Sequence, residues 1–210
     1  IFDIFLGYRL LRDASKLIAL SQTEAQQYKD MSVPEEKIEI IPNGIDLSEY
    51  NDLPLKGSFR KKFSIGSDER IVLYLGRIHR IKGIDILARA FAKVTENAGD
   101  VRLVVVGPDD GYLGELEALT KALKIEDNVL ILGPLYGRDK LEAYVDADVY
   151  VLPSRYEIWG MTVLEALACG TPLVLSENCG VAEYFKDKVG LIVEPKPNNL
   201  ARALVEMLLD

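Results

Sequence analysis

Histidine and cysteine are nearly absent from this sequence: one histidine, His79, and two cysteines, Cys169 and Cys179, in 210 residues. Two thiols are too few for a disulfide scaffold or a four-thiolate zinc site, and one imidazole excludes multi-histidine metal centres and relays. Excess positive charge is missing too. With 33 acidic against 25 basic side chains the net charge is −8, which excludes a nucleic-acid partner held through general basicity. An anionic ligand would need a local cationic pocket. No apolar run reaches the roughly 18–20 residues needed to cross a bilayer. No signal peptide is visible either, because the opening IFDIFLGYRLLRDASK mixes charges into its apolar stretch. The reading is a soluble, cytoplasmic chain.

That opening suits an amphipathic helix, with Phe2, Phe5, Leu6 and Leu10 on one side and Arg9, Arg12 and Lys16 nearby. A helix packed on a neighbouring element is the expected role; a peripheral membrane anchor has the same pattern. The chain starts at Ile1 rather than at a methionine, which reads as an excised segment.

What is abundant is short apolar runs. KLIAL (16–20), KIEII (37–41), IVLYL (71–75), RLVVV (102–106), NVLIL (128–132), VYVL (149–152), PLVLS (172–176) and GLIVE (190–194) read as strands. Several lack alternation, as strands covered on both faces do. Between them the period is helical. Ile84, Leu87, Ala88 and Phe91 make one stripe, and Leu113, Leu116, Leu119 and Leu123 another. Strand then helix, repeated, predicts an α/β fold with a doubly wound, Rossmann-like parallel sheet and right-handed crossovers. Ligands of such sheets bind beyond the carboxyl ends of the strands. Residues 42–58 are the most linker-like stretch, with a turn signal at Pro42-Asn43-Gly44 and breakers at Pro54 and Gly57. A boundary near 44 leaves 1–44 as a connecting segment, the tail of a missing domain, and 45–210 as one domain.

Two loops carry chemistry. GRIHRIKG (76–83) places Arg77, Arg80 and Lys82 within six residues, ahead of a helix starting near Gly83. Guanidinium forks, an ammonium and a helix N-terminus suit a bound anion. A solvated basic loop fits the spacing equally well, and His79 reads as an exposed loop residue. In the second loop, PSRYEIWG, Glu157 precedes Gly160, and Glu165 lies about a turn inside a helix that begins near Gly160 or Met161. Both carboxylates could then border one cavity, suited to sugar hydroxyls beside backbone N–H groups that suit phosphate. By spacing alone, a capping glutamate plus a surface glutamate reads better. Asp146 and Asp148 resemble a divalent-metal pair, but the helix-to-strand junction favours capping and turn roles. The uncharged GPLYG loop could floor a flat base. No G-x-G-x-x-G follows a strand, so a dinucleotide has little support.

The run Pro153-Ser154-Arg155-Tyr156-Glu157…Gly160…Leu164-Glu165-Ala166-Leu167-Ala168-Cys169-Gly170-Thr171-Pro172 strongly resembles the Glu-seven-residues-Glu signature of glycosyltransferase family 4, retaining enzymes of the GT-B fold. Ile41-Pro42-Asn43-Gly44-Ile45-Asp46, Gly76-Arg77, Lys82-Gly83, Val106-Gly107-Pro108, Leu132-Gly133 and Ala147-Asp148-Val149 extend the resemblance in the family's order. It implies the C-terminal half of such an enzyme: a nucleotide-sugar donor domain at 45–210, with a carbohydrate or lipid-linked acceptor held by the missing N-terminal domain. Arg77 and Lys82 would neutralise the diphosphate, and Glu165 would hold the ribose hydroxyls. Glu157 would hold sugar hydroxyls, and Gly160, Met161 and Thr162 would offer backbone N–H groups. Leu132 and Gly133 would border the donor. Catalysis would rest on Glu157, Arg77 and Lys82, with no metal and no cofactor, the nucleotide sugar being a substrate. The fragment alone would bind nucleotide yet transfer almost no sugar. Ile158-Trp159 stands where the family often has Gly-Phe; Trp159 is expected in the core. Cys179-Gly180-Val181-Ala182-Glu183 is close to the family's paired glycines before a glutamate. The alternatives are a non-catalytic nucleotide-sugar-binding module and another GT-B enzyme, such as a nucleotide-sugar epimerase or hydrolase. Base, sugar, acceptor and oligomeric state are not encoded legibly.

Overall fold

The structure, a computed structural model, describes residues 7–185 and 189–209. Each of the eight apolar runs forms a strand. The first two, β1 (Leu17–Ala19) and β2 (Ile38–Ile40), pair in parallel around helix α2 (Gln22–Asp30), and a short α1 (Tyr8–Asp13) precedes them. Ser21 caps α2 by accepting the Glu24 N–H at 3.2 Å, while the Glu24 carboxylate reaches back to the Leu20 N–H at 2.7 Å. That reciprocal pattern is the Ser-x-x-Glu capping box displaced by one residue. The expected packing of the opening helix is not found at Leu10: Tyr8–Asp13 buries no residue, and Leu10 is 67% exposed. Phe2, Phe5 and Leu6 lie outside the described residues.

The remaining strands form a six-stranded parallel sheet in the order β5-β4-β3-β6-β7-β8. They are β3 (Arg70–Leu75), β4 (Val101–Val106), β5 (Val129–Leu132), β6 (Val149–Leu152), β7 (Leu173–Ser176) and β8 (Gly190–Val193). Ile71–Tyr74, Leu103–Val106 and Val149–Leu152 are buried without alternation, because helices cover both faces. Those helices are α3 (Ser58–Lys62), α4 (Ile84–Val94), α5 (Leu113–Ala122), α6 (Gly137–Asp146), α7 (Met161–Ala168), α8 (Ala182–Phe185) and α9 (Pro197–Leu209). The α4 stripe, Ile84, Leu87, Ala88 and Phe91, is wholly excluded from solvent, and α9 packs against α4. Truncating Phe91 to alanine would cost about 3–5 kcal/mol in lost transfer energy and cavity. On α5 only Leu116 of the expected stripe is fully buried; Leu113, Leu119 and Leu123 pack partly against the core.

Asp146 and Asp148 fasten the edge of the sheet where the strands begin, opposite the ligand loops. The Asp146 carboxylate accepts the backbone N–H groups of Gly57 and Arg60. Asp148 accepts the Ile71 N–H and pairs with Arg60 at 2.8 Å and Arg70 at 3.2 Å. The Arg60 guanidinium also donates to the carbonyls of Gly66, Glu69 and Asp146. Arg60 and Asp148 are thus paired, and the buried Asp146 carboxylate is held by backbone N–H groups, as removal of such charges from water requires.

Candidate functional site

The strand order reverses between β3 and β6, since β4 and β5 lie to one side and β7 and β8 to the other. The loops after β3 and β6 therefore leave the sheet side by side, and the crevice between them is the topological switch point of the fold. These are the two loops, 76–83 and 153–160, that carry Arg77, Lys82 and Glu157.

Both loops enter a helix through a left-handed glycine. Gly83, at φ +70°, opens α4, and a Cβ there would lie 2.0 Å from the Pro153 carbonyl oxygen. Gly160, at φ +87°, opens α7, and its Cβ would meet Cys179 Sγ and Leu152 Cδ2 at 3.1 Å. Only glycine combines that backbone region with such close approach. Ile158 adopts no positive φ, so the isoleucine standing where the resemblance leads one to expect glycine is not strained there.

Arg155 clamps the loops together. Its N–H donates to the Ile81 carbonyl at 2.9 Å, and its guanidinium donates to the Arg80 carbonyl at 2.7 Å. The same fork binds both oxygens of Asp85, at 2.6 and 2.7 Å, in the first turn of α4. Burial pushes the Asp85 carboxyl up, but the Arg155 hydrogen bond and charge outweigh it, leaving the acid below its usual range.

Within the crevice Lys82 Nζ is bonded to Glu157 Oε2, with side chains only 16% and 15% exposed. Glu165, on α7, belongs to a second cluster. Lys140 Nζ donates to its Oε1 at 2.8 Å, and the Tyr144 hydroxyl to its Oε2 at 2.9 Å. Between the clusters the Tyr150 hydroxyl lies 2.6 Å from Thr162 Oγ1. Arg77 departs from the expected partnership with Lys82: it is exposed and bonded to Asp110 in the loop after β4, while Lys82 turns inward. A bound anion would have to draw Arg77 in from the rim.

The expectation that Glu157 and Glu165 share one cavity is only half met. Glu157 lines a cavity of about 260 Å³ with Ser21, Thr23, Gln27, Tyr156 and Asn178, whereas Glu165 does not line it. Helical rotation turns Glu165 towards α6. Met161 is 38% exposed at the start of α7, whose first turn has neither a side-chain cap nor an acidic residue. The Val163 N–H returns to the Gly160 carbonyl at 3.0 Å, and the N–H groups ahead of it in such a helix lack intrahelical acceptors and attract negative charge. Leu132 ends β5 and Gly133 follows it; the Leu132 carbonyl accepts the Gly107 N–H at 3.3 Å.

Other expectations resolve locally. Trp159 is core, 5% exposed and edge-on to Tyr184 at 5.4 Å. His79 is half-buried rather than exposed, and its Nδ1 accepts the Ile81 N–H at 3.0 Å. Burial foremost, and then the charge of Glu157, pushes the Cys179 thiol up to about 12; Cys169 rises to about 11 through burial and Glu165. Neither is a thiolate nucleophile at neutral pH. Among the described residues no group of three or more His, Cys, Asp or Glu side chains is arranged to hold a metal.

Asp85, Asp110, Lys140 and Tyr144 escaped the sequence reading. A signal existed for one pair: Lys140 and Tyr144 are four apart on a predicted helix and must share a face.

The family profile described as Glycosyl transferases group 1 matches residues 56–210. The chain belongs to that glycosyltransferase family. A second profile, Glycosyltransferase Family 4, matches residues 2–49. An uncharacterized glycosyltransferase of Methanocaldococcus jannaschii is 37% identical over 98% of this chain and 54% of its own length. The alpha-monoglucosyldiacylglycerol synthase of Streptococcus pneumoniae is 32% identical over 98% of this chain and 47% of its own. Among solved structures, Anabaena Alr3699/HepE in complex with UDP-glucose superposes with a TM-score of 0.84 at 25% identity, covering 96% of this chain and 56% of that one. This glycosyltransferase chain thus spans about half the length of the relatives it matches, and corresponds to the C-terminal, Rossmann-like domain of a GT-B enzyme.

Proposed function

We propose that the chain is the donor-binding half of a retaining glycosyltransferase that moves a sugar from a nucleotide-diphosphate sugar to an acceptor. The observation that carries this reading is the Lys82–Glu157 pair at the switch point, beside the uncapped N-terminus of α7. A cation, an acceptor for hydroxyls and open N–H groups converge there, matching a diphosphate joined to a sugar. The solved neighbour that holds UDP-glucose supports a donor of that class.

In this reading the diphosphate takes Lys82 from Glu157, and Arg77 swings in from Asp110. The two cations and the α7 dipole stabilise the charge that grows on the departing diphosphate, with little reorganisation. Glu157, released from Lys82, accepts sugar hydroxyls, while Glu165 accepts the ribose hydroxyls. Gly160, Met161 and Thr162 offer N–H groups to phosphate and sugar; Leu132 and Gly133 border the base. No protein nucleophile, metal or cofactor enters the scheme.

Residues 45–210 form the donor domain in this reading, and 1–44 the tail of an N-terminal domain that holds a carbohydrate or lipid-linked acceptor. A relative named for a glucosyldiacylglycerol product supports the lipid option, and with it peripheral membrane contact. Among the described residues no helix is long and apolar enough to cross a membrane. The isolated chain binds donor but transfers almost nothing, because acceptor positioning and water exclusion need the second wall of the cleft.

The test is thermal denaturation against a panel of sugar nucleotides, since a ligand selective for the native state raises the melting temperature. A rise with one sugar nucleotide, reduced in Lys82→Ala, is the expected result. No rise with any of them overturns the reading. Binding without transfer by the whole protein would instead leave a non-catalytic module.

A further inference from the structure

The Glu165 carboxylate is half committed. A carboxylate offers about four acceptor positions, two on each oxygen. Here Lys140 takes one on Oε1 and Tyr144 one on Oε2. Among the described residues nothing else bonds to it, so one position on each oxygen is left, and Glu165 keeps 17% of its side chain exposed. Two free acceptors on adjacent oxygens are the complement of two hydroxyl donors on adjacent carbons.

The donors that hold this arrangement are themselves fixed. Tyr144 is wholly buried, its ring 5.8 Å from that of Tyr150 and its carbonyl accepting the Thr171 hydroxyl at 2.8 Å. Burial, reinforced by Tyr150 and Glu165, raises the Tyr144 phenol, so it stays a proton donor across the accessible pH range. Lys140 lies one turn earlier on α6 and reaches the same carboxylate from its more open side, 24% exposed. Tyr150, packed against Tyr144, bonds to Thr162 three residues before Glu165 on α7. Two neighbouring tyrosines thus register the underside of α7 at both ends of its first turn.

We infer that Tyr144 and Lys140 are positioning residues that hold the Glu165 carboxylate open for the vicinal diol of the donor's ribose. The inference rests on the proposed role of Glu165 and adds two residues that act through it. Tyr144 sets the carboxylate plane. Lys140 holds the other oxygen and stops the carboxylate from turning into the crevice. Neither touches the nucleotide's phosphates.

The experiment measures calorimetric affinity of the chain for UDP, GDP and ADP, each beside its 2′-deoxy counterpart, in wild type, Glu165→Ala, Tyr144→Phe, Lys140→Met and Lys140→Arg. The expected wild type favours the ribonucleotide by about tenfold, the worth of one hydrogen bond to a charged group. Tyr144→Phe and Lys140→Met should narrow that ratio severalfold with little change in affinity for the deoxy ligand, and Lys140→Arg should retain it. Loss of the ratio in Glu165→Ala, with the full ratio kept in both Tyr144→Phe and Lys140→Met, overturns the positioning role. Equal weakening of both ligands in those variants also overturns it, because general damage to the fold acts that way. A ratio that survives Glu165→Ala, or no binding by any ribonucleotide, overturns instead the reading of Glu165. Should Tyr144→Phe fail to fold, the more exposed Lys140 decides.

Discussion

Arg155 and Asp85 face each other fork to fork across the switch point, one guanidinium nitrogen on each carboxylate oxygen, at 2.6 and 2.7 Å. The contact joins the loop after β6 to the first turn of α4. Removing it with Arg155→Ala should lower stability by about 1.5–3 kcal/mol, the range for hydrogen bonds to charged groups. Urea denaturation checks this.

The same pair sets a pH dependence. Asp85 is held below its ordinary value of 3.8 in the folded chain. A depressed acid contributes stability that is complete above the unfolded value and is lost as pH falls through the folded one. The stability gap between wild type and Asp85→Asn should therefore be constant above about pH 5 and shrink in more acid solution. Urea midpoints from pH 7 to pH 3 report it; a gap that widens in acid contradicts the assignment.

Lys82 and Glu157 neutralise one another in a mostly dry position. Glu157→Gln should leave Lys82 free for phosphate, so nucleoside diphosphate binds as well or more tightly while the gain from adding a sugar falls about tenfold. Lys82→Met removes the partner of a mostly buried carboxylate, and should cost about 3–5 kcal/mol. Calorimetry separates the first effect, and chemical denaturation measures the second.

Arg77 should behave differently, because its pair with Asp110 is exposed. Arg77→Ala should change stability by no more than about 1 kcal/mol. It should nonetheless weaken a nucleoside diphosphate about tenfold or more while sparing the bare nucleoside. Equal losses for the two ligands would remove Arg77 from the phosphate site.

Gly83 offers a test of backbone geometry. Gly83→Ala must pay for a left-handed φ and for a Cβ 2.0 Å from the Pro153 carbonyl, so destabilisation above about 2 kcal/mol is expected. Gly44, whose Cβ would meet nothing within 4 Å, is the control. Thermal melts of the two variants should differ clearly.

Strands and the switch-point loops were legible because their signals are local: unbroken valine and leucine runs, and glycine where a loop becomes a helix. The positions of Glu157 in a loop and Glu165 inside a helix followed from Gly160 alone. Which way each charge would turn was not legible. Arg77 and Lys82 are five residues apart, yet one reaches out to Asp110 and the other in to Glu157, a choice made by neighbours more than 30 and 70 residues away in sequence. Leu10 failed for the opposite reason: a stripe identifies an apolar face but not whether anything covers it.

The loops above the sheet are stitched to one another by the same hydrogen bonding as the strands. Ile78 bridges to Asp109, and Glu157 to Cys179, each in parallel register. The rim is in effect another row of the sheet, laid after the named strands have ended. An added residue in the loop after β3 would shift its pairing with the loop after β4, and one after β6 would do the same to the loop after β7. Length variation in this rim should therefore come in matched pairs. The loop after β5, which carries no such bridge among the described residues, can lengthen alone.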